Sequence, residues 1–248
     1  MFIVMKRKTA GVILASIFFF GITLGAYNLS LHPNMHNWEK QGLLIREVNT
    51  DKKAVALTFD DGPDPANTPA LLEVLDKHGA QATFFVVGSR AEEYPDLLKQ
   101  MDQSGHEIGN HSYNHADYNG KSDEFIRDEI IKGSKTIKSI TGNAPTFFRP
   151  PGGYLSYAMV DIVQEEGLII AYWTWQQDSK DWQAGTSSAR IADHIRDNIE
   201  PGQIIVLHDG AANGMQTVKA MDIVIPALKK DGYQFVTLSR LLELENNE

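Results

Sequence analysis

Two adjacent carboxylates, Asp60 and Asp61, follow the apolar run Val-Ala-Leu-Thr-Phe and precede Gly62. The string D-D-G-P-D-P also reads as a turn, because its residues suit tight backbone. At a strand end, one of two neighbouring carboxylates can ligate a metal while the other accepts a proton. His111 and His115 are four residues apart in H-S-Y-N-H. On a helical turn that spacing puts both imidazoles on one side, as zinc sites use it. No Glu follows His111, so the base of an H-E-x-x-H hydrolase is missing, and Asp60 is the candidate to replace it. Two His and one carboxylate leave coordination positions for water and substrate. The chain has no Cys, which excludes thiolate sites, Cys nucleophiles and disulfides. The remaining nitrogen and oxygen ligands suit Zn²⁺, Co²⁺, Mn²⁺ or Fe²⁺, and the chemistry in view is metal-assisted hydrolysis.

Three further polar clusters accompany these. In Arg149-Pro150-Pro151-Gly152-Gly153 the prolines stiffen the loop and the glycines let backbone N–H groups approach a ligand. Asp178-Ser-Lys-Asp181-Trp182 supplies two more carboxylates, and His208-Asp209-Gly210 ends the apolar run Gln203–Leu207. His208, opposite the other clusters, is a candidate acid. Trp173, Trp175, Trp182 and Tyr154 fall near the same loops. Their rings suit both core packing and stacking on the apolar C–H faces of sugars.

The elements that must position these residues alternate. Strand-like runs occur at 54–59, 82–87, 107–109, 146–148, 168–173, 204–207 and 234–237. Between them lie helical patterns with recognisable ends: Asn67 as a cap with Pro69 in the first turn, stops at Gly79, Gly105, Gly167 and Gly232, and a kink expected at Pro226. Strand and helix in alternation predict βα units around a parallel sheet. All five polar clusters then fall on the carboxyl-terminal rim of the strands, where α/β folds build their sites.

The 248 residues are 42% hydrophobic and 22% charged, which excludes a disordered chain and a multi-span membrane protein. The net charge of −9, with no basic stripe, argues against nucleic acid as a partner. Lys6, Arg7 and Lys8 precede 23 uncharged residues, Thr9 to Leu31. That length approaches the ~20 residues of a membrane span. Residues 1–31 are expected to be a signal-anchor, or a signal peptide cut after Ala26, leaving the rest outside the cell. Residues 32–50 read as a linker with a weak strand near Leu43–Ile45, and 51–248 as one domain.

T-F-D-D-G (58–62), H-S-Y-N-H (111–115), R-P-P-G-G (149–153), D-S-K-D-W (178–182) and Val206-Leu207-His208-Asp209 occur in that order. They resemble the five motifs of the polysaccharide deacetylase family, the NodB-homology domain of carbohydrate esterase family 4, across the whole of 51–248. The resemblance implies a distorted seven-stranded (β/α) barrel with its active site at the C-terminal ends of the strands. It implies metal-dependent removal of N-acetyl groups from N-acetylglucosamine-type sugars. By the same resemblance Asp61, His111 and His115 hold the metal, with Zn expected first and Co or Mn also suitable. Asp60 is the base and Arg149 its partner, Gly152 offers its N–H to the oxyanion, His208 is the acid, and Asp181 orients or tunes it. Tyr154, Trp182 and Trp175 are the candidates for sugar contact. The position of the short linker behind an anchor points to cell-wall peptidoglycan. The alternatives are a chitin-oligosaccharide deacetylase and a non-catalytic carbohydrate-binding derivative.

Overall fold

The computed structural model describes residues 35–246; the expected signal or anchor at 1–31 lies outside them. The unit that carries the sheet begins at Trp38, so most of the stretch expected as linker belongs to it. Helix α1 (Met35–Lys40) leads to strand β1 (Leu44–Ile45) and then β2 (Ala54–Asp60). The chain continues through α2 (Asn67–Lys77), β3 (Ala82–Val86), α3 (Gly88–Glu93), α4 (Pro95–Gln103), β4 (Glu107–Asn110), α5 (Asp123–Thr141) and β5 (Phe147–Phe148). It ends with α6 (Tyr157–Glu165), β6 (Ile169–Ala171), α7 (Ser188–Asp197), β7 (Ile204–His208), α8 (Gly214–Lys230), β8 (Gln234–Phe235) and α9 (Leu238–Leu242). Among the described residues no helix is long and apolar enough to cross a membrane.

Every ladder between these strands is parallel, and seven of them follow in the order β1-β6-β5-β4-β3-β2-β7. The sheet curls into the expected (β/α) barrel. Its seventh path member differs from the one counted in the sequence: β1 takes that place, pairing Leu44 and Ile45 with β6. The run at 234–237 becomes β8, a side branch on Ala54 and Val55 of β2. At the end of β6 the carbonyls of Ala171 and Tyr172 accept from the Arg149 guanidinium.

Strand alternation decides what faces the barrel interior. Along β2, Val55, Leu57 and Phe59 pack outward in a core shared with Leu71, Leu75, Val224 and Ile225 of the helices. Ala54 and Ala56 face inward, with Phe85, Phe147, Ala171 and Ile204. Thr58 and Asp60 continue that inward row at the upper end. Leu238 and Leu241 of α9 join the inner cluster from below, closing the bottom of the barrel and leaving chemistry to the top.

Side-chain caps start the helices: Ser122, Ser156, Ser187 and Thr237 each accept an N–H from the first turn of α5, α6, α7 and α9. Asn67 does not serve as the cap of α2. Asp64 takes the N–H of Ala66 and Asn67, and the Asn67 amide instead donates to the carbonyl of Asp209 at 3.0 Å.

Candidate metal and catalytic site

The five polar clusters meet above the barrel. A cavity of about 520 Å³ is lined by Asp60, Asp61, His111, His115, Gly152, Trp182 and His208, among others. Among the described residues four that are not glycine adopt left-handed backbone, Asp61, Ser112, His115 and Lys180, with φ of 71°, 66°, 55° and 56°. All four lie in the site loops. Such backbone costs roughly 1–2 kcal/mol per residue, and strain of this kind collects where surrounding structure holds functional side chains in place.

The Asp61 Oδ1 atom is buried and accepts no hydrogen bond. The Nε2 atoms of His111 and His115 lie 3.4 and 3.1 Å from it, and the three ligand atoms fall within 4.8 Å of one another. Two ligands held ~2.1 Å from one ion at tetrahedral or octahedral angles stand roughly 3.0–3.4 Å apart, so this trio fits a small divalent cation. His111 Nδ1 meets the Arg149 carbonyl at 2.7 Å. That contact puts the ring proton on Nδ1 and leaves the Nε2 lone pair for a metal, the orientation that outer partners commonly impose on ligating imidazoles. Burial opposes ionisation of Asp61, yet His111, His115 and His208 outweigh it and hold the carboxyl well below its usual range. Burial, with the neighbouring His111, lowers the His115 pKa, which favours the neutral, ligating ring.

Asp60 sits deeper, its carboxylate 2.7 Å from Arg149 Nη1. Arg149 is fully buried inside the barrel. Its Nη1 also donates to Thr58 Oγ1 at 2.8 Å, and its Nε and Nη2 donate to the carbonyls of Ala171 and Tyr172 at 3.0 and 2.9 Å. The guanidinium lies over the Phe85 ring. Such a clamp turns Asp60 in one direction, and a buried ion pair with satisfied donors resists disruption.

Across the cleft, Asp181 is almost wholly buried. One of its oxygens meets His208 Nδ1 at 2.8 Å. The other accepts the His208 N–H at 2.8 Å and the Thr217 hydroxyl at 2.7 Å. Burial works against the imidazolium, but the Asp181 hydrogen bond and charge, with Asp60 and Asp61 beyond, push the His208 pKa up to about 9. Asp60 and His208 are register partners on the adjacent strands β2 and β7, so pairing alone brings these two groups side by side. Asp209 turns the other way: Thr68 donates to its carboxyl, and burial pushes it up to about 7.

Gly152 takes φ 59° in the turn Pro151–Gly153. A Cβ there would meet no atom within 4 Å, so the wall above it is open. Gly152, Gly153 and His115 also line a second cavity of about 510 Å³ with Tyr154, Asp117 and Asn119. Trp182, half exposed, lines the first cavity. Trp175 lines neither: it packs on Trp173 with ring centroids 5.5 Å apart. Trp173 does line the first cavity, and its indole N–H has no hydrogen-bond partner among the described residues.

The family described as polysaccharide deacetylase matches residues 47–171. The chain belongs to that family. A peptidoglycan-N-acetylglucosamine deacetylase of Bacillus cereus is 42% identical over 208 residues, covering 84% of this chain and 97% of the relative. A chitooligosaccharide deacetylase of Azorhizobium caulinodans is 34% identical, covering 75% and 93%. The crystal structure of a peptidoglycan N-acetylglucosamine deacetylase in complex with a benzamide compound superposes with a TM-score of 0.80 at 33% identity, covering 87% of this chain and all of that one (100%). The matched family segment ends at Ala171, so Asp181 and His208 lie beyond it and are placed by the fold.

Sequence reasoning passed over Thr58 and Thr217, whose hydroxyls hold Arg149 and Asp181. Thr58 carries a weak signal, as a polar residue on the inward parity of an apolar strand. Thr217 carries none, being one polar position in an amphipathic helix.

Proposed function

We propose that this protein removes N-acetyl groups from N-acetylglucosamine-type residues of an extracellular polysaccharide, and that cell-wall peptidoglycan is its substrate. The observation that carries the reading is one cavity lined at once by the Asp61–His111–His115 trio, by Asp60 and by His208. A divalent ion held by the trio, zinc by choice and cobalt or manganese as substitutes, would polarise the acetamide carbonyl and acidify water.

The chain's own groups complete the hydrolysis. Asp60, held in place by Arg149, takes a proton from the attacking water. The Gly152 N–H stabilises the oxyanion of the tetrahedral intermediate. His208, protonated at neutral pH and held by Asp181, gives its proton to the nitrogen as the C–N bond breaks. The products are acetate and an amine. Trp182 and Trp173 offer rings against which a sugar can lie, and Tyr154 offers another in the adjoining cavity. A full set of acid, base and ligands supports catalysis over a purely carbohydrate-binding role.

The 42% identity to a peptidoglycan deacetylase over nearly all of that relative supports peptidoglycan over chitin oligosaccharides. The cationic start and uncharged stretch to Leu31 support export, with the protein anchored facing the wall or released after cleavage. The test is acetate release from peptidoglycan, chitin oligosaccharides and acetylated xylan, with and without chelator. Activity confined to chitin oligosaccharides would select the alternative substrate. Absence of acetate from every glycan, with metal bound, would refute the enzymatic reading.

A further inference from the structure

His115 is the weakest-held of the three candidate ligands. His111 is buried and tied through Nδ1 to the Arg149 carbonyl, and Asp61 follows directly from β2. His115 is exposed and sits in left-handed backbone with φ 55°. The loop leading to it is fixed at its start to α3: the Ser112 and Tyr113 carbonyls accept the N–H groups of Gly88 and Ser89 at 2.9 and 2.8 Å, and the Tyr113 hydroxyl donates to Glu92 at 2.7 Å. Ser112, itself left-handed, accepts the His115 N–H at 2.8 Å. That bond ties the ligand's own backbone back to the anchored start of the loop.

A second anchor, at the residue next to the ligand, comes from Glu129 of α5. Its carboxylate accepts the Asn114 backbone N–H on one oxygen and the Asn114 side-chain amide on the other, both at 2.8 Å. Asn114 immediately precedes His115, so fixing its backbone and side chain together fixes the chain entering the ligand. Glu129 is 6% exposed although its partner Asn114 is exposed. A buried carboxylate costs free energy unless charge-assisted bonds satisfy it, and here the loop supplies them. The same stretch of α5 is fixed to β4: Asn110, just before His111, donates to the Ile130 carbonyl at 2.8 Å and to Ser134 Oγ at 2.9 Å. The helix thus holds the residue before each histidine.

We propose that Glu129 is a positioning residue that holds His115 in metal-binding geometry through Asn114. The proposal rests on the reading of Asp61, His111 and His115 as the metal ligands. Outer groups that orient ligands typically contribute 10–100-fold in metal affinity. Glu129→Ala should therefore weaken binding of Co²⁺ by about 10–100-fold. Asn114→Ala, which removes one arm at an exposed position, should weaken it by roughly tenfold. Glu129→Gln, able to accept from only one of the two N–H groups, should fall between wild type and Glu129→Ala.

The experiment titrates metal-stripped full-length protein and these variants with Co²⁺, following heat and the visible absorption of the bound ion, with Asp61→Ala as reference. Wild type should take up one ion and Asp61→Ala should lose it. At saturating Co²⁺ the Glu129 and Asn114 variants should regain turnover with KM for the glycan unchanged, a split that general loss of structure would not give. If Glu129→Ala does not fold, Asn114→Ala and Glu129→Gln decide the matter. If these bind Co²⁺ as tightly as wild type while Asp61→Ala does not, the positioning role is overturned and the metal site stands. If wild type and Asp61→Ala bind alike, the metal site itself is refuted, and the role of Glu129 with it.

Discussion

Replacing Asp181 with Asn removes the charge that keeps His208 protonated and leaves its shape almost unchanged. In the native protein burial opposes the imidazolium, yet the pKa stands at about 9 because the Asp181 hydrogen bond and charge are the strongest opposing influences. Without them burial stands against only the more distant charges of Asp60 and Asp61, and the ring should titrate near its ordinary ~6.5. A raised pKa means that the acid form is present below about 9 and is lost as pH rises through that value. The variant should lose it from ~6.5 upward instead. At pH 8 the protonated fraction then drops from about nine-tenths to about 3%, a rate loss near 30-fold, while at pH 5.5 the loss is less than about twofold. The assay is acetate release across pH 5–10 from a soluble N-acetylglucosamine oligomer, with metal content and melting temperature measured alongside. An alkaline limb that stays near pH 9 would show that Asp181 does not set the acid. A loss uniform across pH would assign Asp181 to packing alone.

The adjacent aspartates should separate cleanly. Asp60→Asn is expected to keep its metal and lose about 10²–10⁴-fold in kcat, whereas Asp61→Ala should lose metal and activity together, as read by bound metal per chain and turnover. Chelation should abolish acetate release and added Zn²⁺ or Co²⁺ should restore it; full activity in a protein shown metal-free by elemental analysis would refute the mechanism. Arg149→Met leaves Asp60 buried without its partner, so urea unfolding should register a loss of about 3–5 kcal/mol. Gly202→Ala should also destabilise the fold, because φ is +79° and a Cβ would stand 1.8 Å from the Val48 carbonyl; a melting temperature equal to wild type would show that the Val48 segment moves aside freely.

The barrel was legible because its strands are β-branched runs between helices with clear stops. Asp60, Asp61, His111 and His208 were legible for a related reason: each ends such a run, and strand ends share a rim. Leu44–Ile45 gave little warning of its place in the sheet, because two apolar residues carry no period; its role rests on the ladder to β6. Asn67 misled as a cap because Asp64, three residues earlier, starts the helix sooner by accepting the N–H groups of Ala66 and Asn67, while the Asn67 amide is engaged with the Asp209 carbonyl. Glu129 was invisible for a different reason. It is one acid among several in Asp123–Thr141, and only the path of the loop above it distinguishes it from its neighbours. Trp175 was named with Trp182 because both are aromatic near the site, but nearness in sequence does not say which ring reaches the cavity.

The register of β2 against β7 has a consequence for how the protein acquires its activity. Asp60 and His208 become neighbours only when these two strands align, and a long stretch of chain carrying four strands of the path, β3 to β6, lies between them. A contact so distant in sequence carries a large closure entropy and belongs to folds that assemble slowly. A slip of one residue in that pairing would turn His208 away from the cleft. The same pairing seats Gly210 against the backbone of Asp61, with its N–H donating to the Asp60 carbonyl at 3.2 Å, so the metal trio too is completed by the segment that follows β7. Metal uptake and acetate release should therefore appear together during refolding, both waiting on the β2–β7 pairing, and metal uptake that runs ahead of activity would refute this.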